Sequence, residues 1–140
     1  MERKGSAVWH GNLKEGKGTT STESGVLEET PYSFKTRFEH GTGTNPEELL
    51  AAAHASCFAM ALSNELSNVG ATATKLAVSA TITIDQVQGG FAITKSHLDL
   101  VANVPGIDKA NFDAAVNAAK TGCPVSKLYK AEITLSSHLE

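Results

Sequence analysis

The sequence predicts an α+β fold. Apolar residues alternate with period two in several stretches, one long alanine-rich run is uninterrupted by Gly or Pro, and the order is strands, helix, hairpin, helices, strand rather than a βαβ alternation. At 140 residues the chain has the length of one domain, spanning 1–140, and 41% hydrophobic residues supply a core, which excludes wholesale disorder.

Each element follows from local pattern. Residues 7–10 and 18–24 read as short strands, the second Thr/Ser-rich and exposed. From 32 to 39, Tyr32, Phe34, Thr36 and Phe38 alternate with Ser33, Lys35, Arg37 and Glu39. That pattern predicts a strand with Arg37 turned away from Phe34 and Phe38. Asn45, Pro46, Glu47 and Glu48 announce a helix: a cap, a first-turn proline and two acids at the positive end. The helix runs from 49 to about 68, apolar nearly all round, so it is predicted to be buried, with Gly70 ending it. Residues 76–87 and 91–104 form an antiparallel hairpin turned at Gly89-Gly90, with Ile93, His97 or Leu98, and Leu100 among the apolar positions of its second strand. Asp108 caps a second helix that ends at Gly122, Cys123-Pro124 opens a short third, and 131–137 is a closing strand.

Composition narrows the function. Twelve basic against fifteen acidic residues give a net charge of −3, which argues against a nucleic-acid surface. No apolar run reaches the ~18 residues of a membrane span. The charged start, Met1-Glu2-Arg3-Lys4, leads into no apolar segment and does not read as a signal peptide. Two cysteines do not make a disulfide scaffold, so the expectation is a cytoplasmic protein with thiols reduced at rest.

The chemistry centres on those thiols. Cys57 lies mid-helix, where a cysteine either fills space or reacts. Cys123 sits at a helix break, where a helix start favours a thiolate. A reversible disulfide between them is a third option. A thiol within an apolar helix has a raised pKa unless a cation reaches it, and Arg37 is the candidate, with Glu47 or Glu48 as counter-ion. Arg3, near the terminus, is the only other arginine. His54 shares a helix face with Cys57, either as a Cys-His nucleophile pair or as a hydrogen-bonded core residue. No CxxC or HxxxH spacing suggests zinc, and no glycine-rich phosphate loop suggests a nucleotide.

The stretch from Gly43 to Phe58, GTNPEELLAAAHASCF, resembles the signature helix of the OsmC/Ohr family of thiol peroxidases, and Gly122-Cys123-Pro124-Val125-Ser126 resembles its second cysteine motif. The stretches STESGVL at 21–27, PYSFKTRFE at 31–39 and VPGI at 104–107 are similar to the osmotically inducible protein C (OsmC) subfamily, and the resemblance covers essentially the whole chain. It implies an intertwined homodimer, antiparallel sheets wrapped around buried central helices, with active sites at the subunit interface. It implies reduction of organic hydroperoxides, and of hydrogen peroxide less well, with Cys57 peroxidatic, Cys123 resolving, and Arg37 and Glu47 completing the site. No metal, flavin, haem or other cofactor is implied; the partners are the hydroperoxide, a dithiol reductant of dihydrolipoyl type and a second copy of the chain, with neither nucleic acid nor membrane.

Glu47 and Cys57 are ten residues apart, roughly 15 Å along an unbroken helix. Either Arg37 bridges that gap or the partner chain supplies Arg37 and Glu47; antiparallel packing of two such helices favours the second. The rival readings are a binding module with inert thiols, a Cys57-His54 hydrolase, and a redox sensor without turnover.

Overall fold

The computed structural model describes residues 1–140. Its residues fall into two compact units, Met1–Leu49 and Leu50–Glu140.

In the first unit β1 (Gly5–His10), β2 (Lys17–Thr22) and β3 (Thr30–Ser33) form an antiparallel sheet in that order. Gly18 pairs with Trp9 on one side and Tyr32 on the other, and a Cβ there would lie 2.5 Å from the Tyr32 ring. Its absence lets the Trp9 and Tyr32 rings close to 5.4 Å between centroids.

The strand expected over 32–39 stops at Ser33; Phe34–Phe38 is instead a short helix, α1. A capping box decides this. The backbone N–H of Thr36 donates to Ser33 Oγ, and that of Ser33 donates to Thr36 Oγ1 at 2.8 Å. Residues four apart share a face in a strand and also in a helix, so the Phe34/Phe38 repeat could not tell the two apart. In the helix their rings lie 4.9 Å apart, and the Arg37 guanidinium sits 5.3 Å from the centre of the Phe38 ring. Arg37 is therefore beside Phe38, not turned away from it.

Helix α2 (Pro46–Asn68) starts as the sequence requires, with the Glu48 N–H donating to Asn45 Oδ1 at 2.8 Å. It ends at Gly70, whose φ of 74° lets the Ala71 N–H return to the Leu66 carbonyl. The expectation of burial all round is corrected within one chain. His54, Phe58, Leu62 and Leu66 are buried at helical spacing, whereas Ala52, Ala53, Ser56 and Met60 are exposed. Only the row carrying large side chains has volume to fill a core; the alanine and serine side makes no such demand.

In the second unit β4 (Lys75–Val87) and β5 (Gly90–Asn103) pair antiparallel, turned at two positive-φ glycines, Gly89 and Gly90. Helix α3 (Lys109–Gly122), capped by Asp108, and the single-turn α4 (Pro124–Leu128) follow. They form a crossover, so β6 (Glu132–Leu139) returns parallel to β5, and this sheet is mixed rather than wholly antiparallel. Of the ambiguous pair on β5, Leu98 points inward and His97 does not. The core joins Phe58, Leu62 and Leu66 of α2 to Leu98 and Leu100 of β5 and to Phe112 and Val116 of α3. No helix is long and apolar enough to cross a membrane.

Leu62 has no exposed surface. Leu62→Ala is expected to destabilise the protein by about 2–5 kcal/mol, read as a lowered urea midpoint at unchanged slope.

Candidate active site

The first unit brings two of the predicted site residues together. Arg37 Nε donates to both carboxylate oxygens of Glu47, at 3.1 and 3.2 Å, and Nη2 donates to Oε1 at 2.8 Å. Glu47 is buried while the arginine is more than a third exposed. The pair exists because α1 is a helix that ends beside the loop leading to α2. Gly43 sits in that loop at φ 133°, where a Cβ would lie 2.4 Å from the Pro31 carbonyl oxygen. The carboxylate is also in the first turn of α2, where the helix field favours a negative charge. Glu48, the alternative counter-ion, instead accepts from the Thr44 hydroxyl. Arg37 borders a cavity of about 300 Å³ lined by Trp9, Tyr32, Phe34, Phe38 and Pro46. That cavity is largely aromatic, with one guanidinium on its wall.

The second unit brings together the two cysteines. Cys57 Sγ and Cys123 Sγ are 2.8 Å apart, although 66 residues separate them in sequence. Both are free thiols; Cys123 is buried and Cys57 partly so. Cys123 terminates α3 and precedes Pro124 at the start of α4, so one residue fixes the junction of both helices. Burial pushes the Cys57 thiol above its ordinary pKa, and the adjacent Cys123 sulfur adds to this. The Val125 backbone N–H, bonded to the Cys57 sulfur, acts in the opposite direction but does not reverse the shift.

His54 is fully buried, three residues before Cys57. Its Nδ1 bonds to Ser96 Oγ at 2.6 Å and its Nε2 to Ser126 Oγ at 2.8 Å. Both ring nitrogens are thereby engaged, so the Cys57-His54 nucleophile pair weighed from the sequence is not formed. The Tyr129 ring meets the imidazole edge-on at 5.1 Å, and its hydroxyl donates to the Leu50 carbonyl at 2.8 Å. Ser96 and Tyr129 are contributors that the sequence reading did not single out. Ser96 had a signal: it occupies the inward side of β5, in phase with Leu98, Leu100 and Ala102. A polar residue in such a row needs an internal partner.

A two-thiol centre in a fold of this topology invites comparison with known proteins. The OsmC family model, described as OsmC-like protein, matches residues 39–138. The chain belongs to the OsmC-like family. It is 54% identical to the peroxiredoxin OsmC of Escherichia coli over 140 residues, covering 100% of this chain and 98% of that protein. It is 35% identical to an organic hydroperoxide resistance protein of Xanthomonas axonopodis over 101 residues, 69% of this chain and 66% of that one. Among solved structures, that of the organic hydroperoxide resistance protein OhrB of Bacillus subtilis aligns with a TM-score of 0.68 at 25% identity. The alignment covers 98% of each chain, so this OsmC-like chain has the OsmC/Ohr fold.

Burial holds the His54 imidazole below its ordinary pKa. The unfolded chain, titrating near 6.5, therefore binds a proton that the native protein refuses. The stabilisation is full above the unfolded value and is lost as pH falls toward the depressed folded one. Urea unfolding at several pH values between about 7 and 5 should show the advantage of wild type over His54→Gln shrinking by up to about 1.4 kcal/mol per pH unit. A difference independent of pH would show that His54 accepts its proton without cost.

Proposed function

We propose that this chain reduces organic hydroperoxides to alcohols, with Cys57 as the peroxidatic thiol and Cys123 as the resolving one. The coarse activity, a thiol-dependent peroxidase, follows from its family and from 54% identity to a peroxiredoxin over the whole chain. The observation that carries the finer reading is the 2.8 Å separation of the two sulfurs. Thiols that close need shorten by less than about 1 Å to form a disulfide.

The chemistry balances with these residues alone plus an external dithiol. The Cys57 thiolate attacks the terminal oxygen of ROOH, the O–O bond breaks, and the alkoxide takes up a proton and leaves as ROH. Cys57 becomes a sulfenic acid. The Cys123 sulfur then attacks the Cys57 sulfur, the S–O bond breaks, and the hydroxyl leaves as water with the Cys123 proton. A dithiol, of dihydrolipoyl type on the family resemblance, returns the disulfide to two thiols and is itself oxidised to its disulfide. The names of the relatives, peroxiredoxin and organic hydroperoxide resistance protein, support this substrate class and a role in stress defence.

A raised Cys57 pKa requires a cation during attack. In the proposed reading this is Arg37, oriented by its carboxylate fork on Glu47, which leaves Nη1 without a bond to that carboxylate and able to face the peroxide. The second copy of the chain covers the exposed Ala52, Ala53, Ser56 and Met60 side of α2 and brings Arg37 and Glu47 of the partner subunit to Cys57. Met60, 77% exposed in the single chain, supports such cover.

Single-turnover oxidation of the reduced protein by cumene hydroperoxide, with thiols counted before and after, tests the function. Wild type should lose both thiols, Cys57→Ser should keep its single remaining thiol, Cys123, and Cys123→Ser should retain a trappable sulfenate at Cys57. Thiols unchanged in wild type at excess peroxide would refute it. Arg37→Ala is expected to slow the first oxidation roughly 100-fold, and Glu47→Gln less. In sedimentation the wild-type protein should run at twice the 14.7 kDa chain mass.

A further inference from the structure

We infer that His54, Ser126 and Tyr129 are positioning residues for the resolving step: they register α4 on α2 so that Cys123 lies on Cys57. This rests on the proposed disulfide between the two cysteines.

The observation is a ladder of three rungs. Leu50, His54 and Cys57 follow one another along α2 at spacings of four and three residues, one face of the helix. Cys123, Ser126 and Tyr129 follow one another at spacings of three along α4 and its flanks. The rungs run antiparallel: Cys57 to Cys123, His54 to Ser126, and the Leu50 carbonyl to the Tyr129 hydroxyl. Two are hydrogen bonds of 2.8 Å, and the third is the sulfur pair.

Helix α4 cannot place itself. It is one turn of five residues, and Cys123 at its N-cap makes no side-chain cap bond. Its position depends on what it binds. The imidazole it binds is in turn held from its other side: Nδ1 is bonded to Ser96 on β5, the central strand of its sheet, and all of His54 and Ser96 are inaccessible to water. A chain of bonds thus runs from the sheet through His54 to the turn that carries Cys123.

The chemistry needs such a fixture. Once Cys57 holds an oxygen, Cys123 must reach the Cys57 sulfur from the side opposite the S–O bond. The polar rungs limit how far Cys123 can withdraw while that oxygen leaves. Peroxide attack on Cys57 needs neither polar rung directly; the turn that carries them reaches this sulfur only through the Val125 N–H.

The test uses the full-length protein. Wild type, Ser126→Ala, His54→Asn and His54→Gln are reduced and mixed with cumene hydroperoxide, and loss of the first and second thiol is timed. Dimedone capture at Cys57 counts the waiting sulfenate. Asparagine reaches the place of Nδ1, and glutamine reaches that of Nε2. The first thiol should disappear with at most a small slowing in the three variants, through the Val125 N–H that α4 brings to the Cys57 sulfur. The second should disappear about tenfold more slowly in Ser126→Ala and His54→Asn, the scale of one hydrogen bond, with a matching rise in dimedone adduct. His54→Gln should recover most of the rate. The equilibrium constant for closing the disulfide against dithiothreitol should fall by the same factor in the two slow variants. Folded Ser126→Ala and His54→Asn proteins that close the disulfide at the wild-type rate and constant would overturn the inference, as would equal slowing of both thiols or failure of glutamine to rescue. Should Ser126→Ala not fold, Tyr129→Phe, which removes one hydroxyl, decides by the same readings. If wild type consumes no peroxide, the peroxidase reading fails, and the dithiothreitol equilibrium still judges the ladder.

Discussion

An imidazole with no exposed surface must find a partner for each ring nitrogen, and in the second unit that requirement organises everything near the thiols. His54 lies in the same helical row as Phe58, Leu62 and Leu66, so it enters the core with them. Leaving either nitrogen unpaired there would cost about 1–3 kcal/mol. Ser96 and Ser126 meet the need, and no buried side-chain nitrogen or oxygen is left without a bond. Satisfying one polar group therefore fixes the position of a strand, a long helix and a single helical turn together. The two sulfurs are close because they lie one rung above that junction.

Each unit has its own electrostatic arrangement. In the second unit the Cys57 sulfur is raised in pKa by burial and by its neighbour, and the one backbone N–H that reaches it does not compensate. In the first unit a guanidinium is oriented by a buried carboxylate, beside a largely aromatic cavity. Holding Arg37 in a fork on Glu47 restricts a long side chain before any ligand arrives, a cost otherwise met on binding.

Helix α2 serves both arrangements through its two faces. Its first turn carries Glu47, its middle carries His54 and Cys57, and its other side presents alanines, a serine and Met60. A run of small residues keeps the backbone accessible to close packing, whereas large residues on that side would hold a second helix away. Of the alanines that made the helix read as buried, Ala52 and Ala53 are exposed in one chain, whereas Ala61 packs against the core.

Much of this was legible in the residues themselves. The helix boundaries at Asn45, Gly70, Asp108 and Gly122 and the hairpin turned at Gly89-Gly90 follow from capping chemistry and periodicity, which act over a few residues, while Cys57, Cys123, Arg37 and Glu47 stand out by residue type and by the family resemblance. Three things did not follow. The 32–39 stretch reads as a strand because a period of two and a four-residue helical repeat coincide at Phe34 and Phe38, and only the reciprocal Ser33–Thr36 bonds break the tie. The parallel return of β6 depends on where α3 and α4 deliver the chain, which no local pattern encodes. The partners of His54 come from positions 42 and 72 residues away, and Cys123 reaches Cys57 across 66. Sequence alone determined which groups are chemically capable; only tertiary packing decided which of them meet, because the cost of an unpaired buried polar atom is settled by the whole core at once.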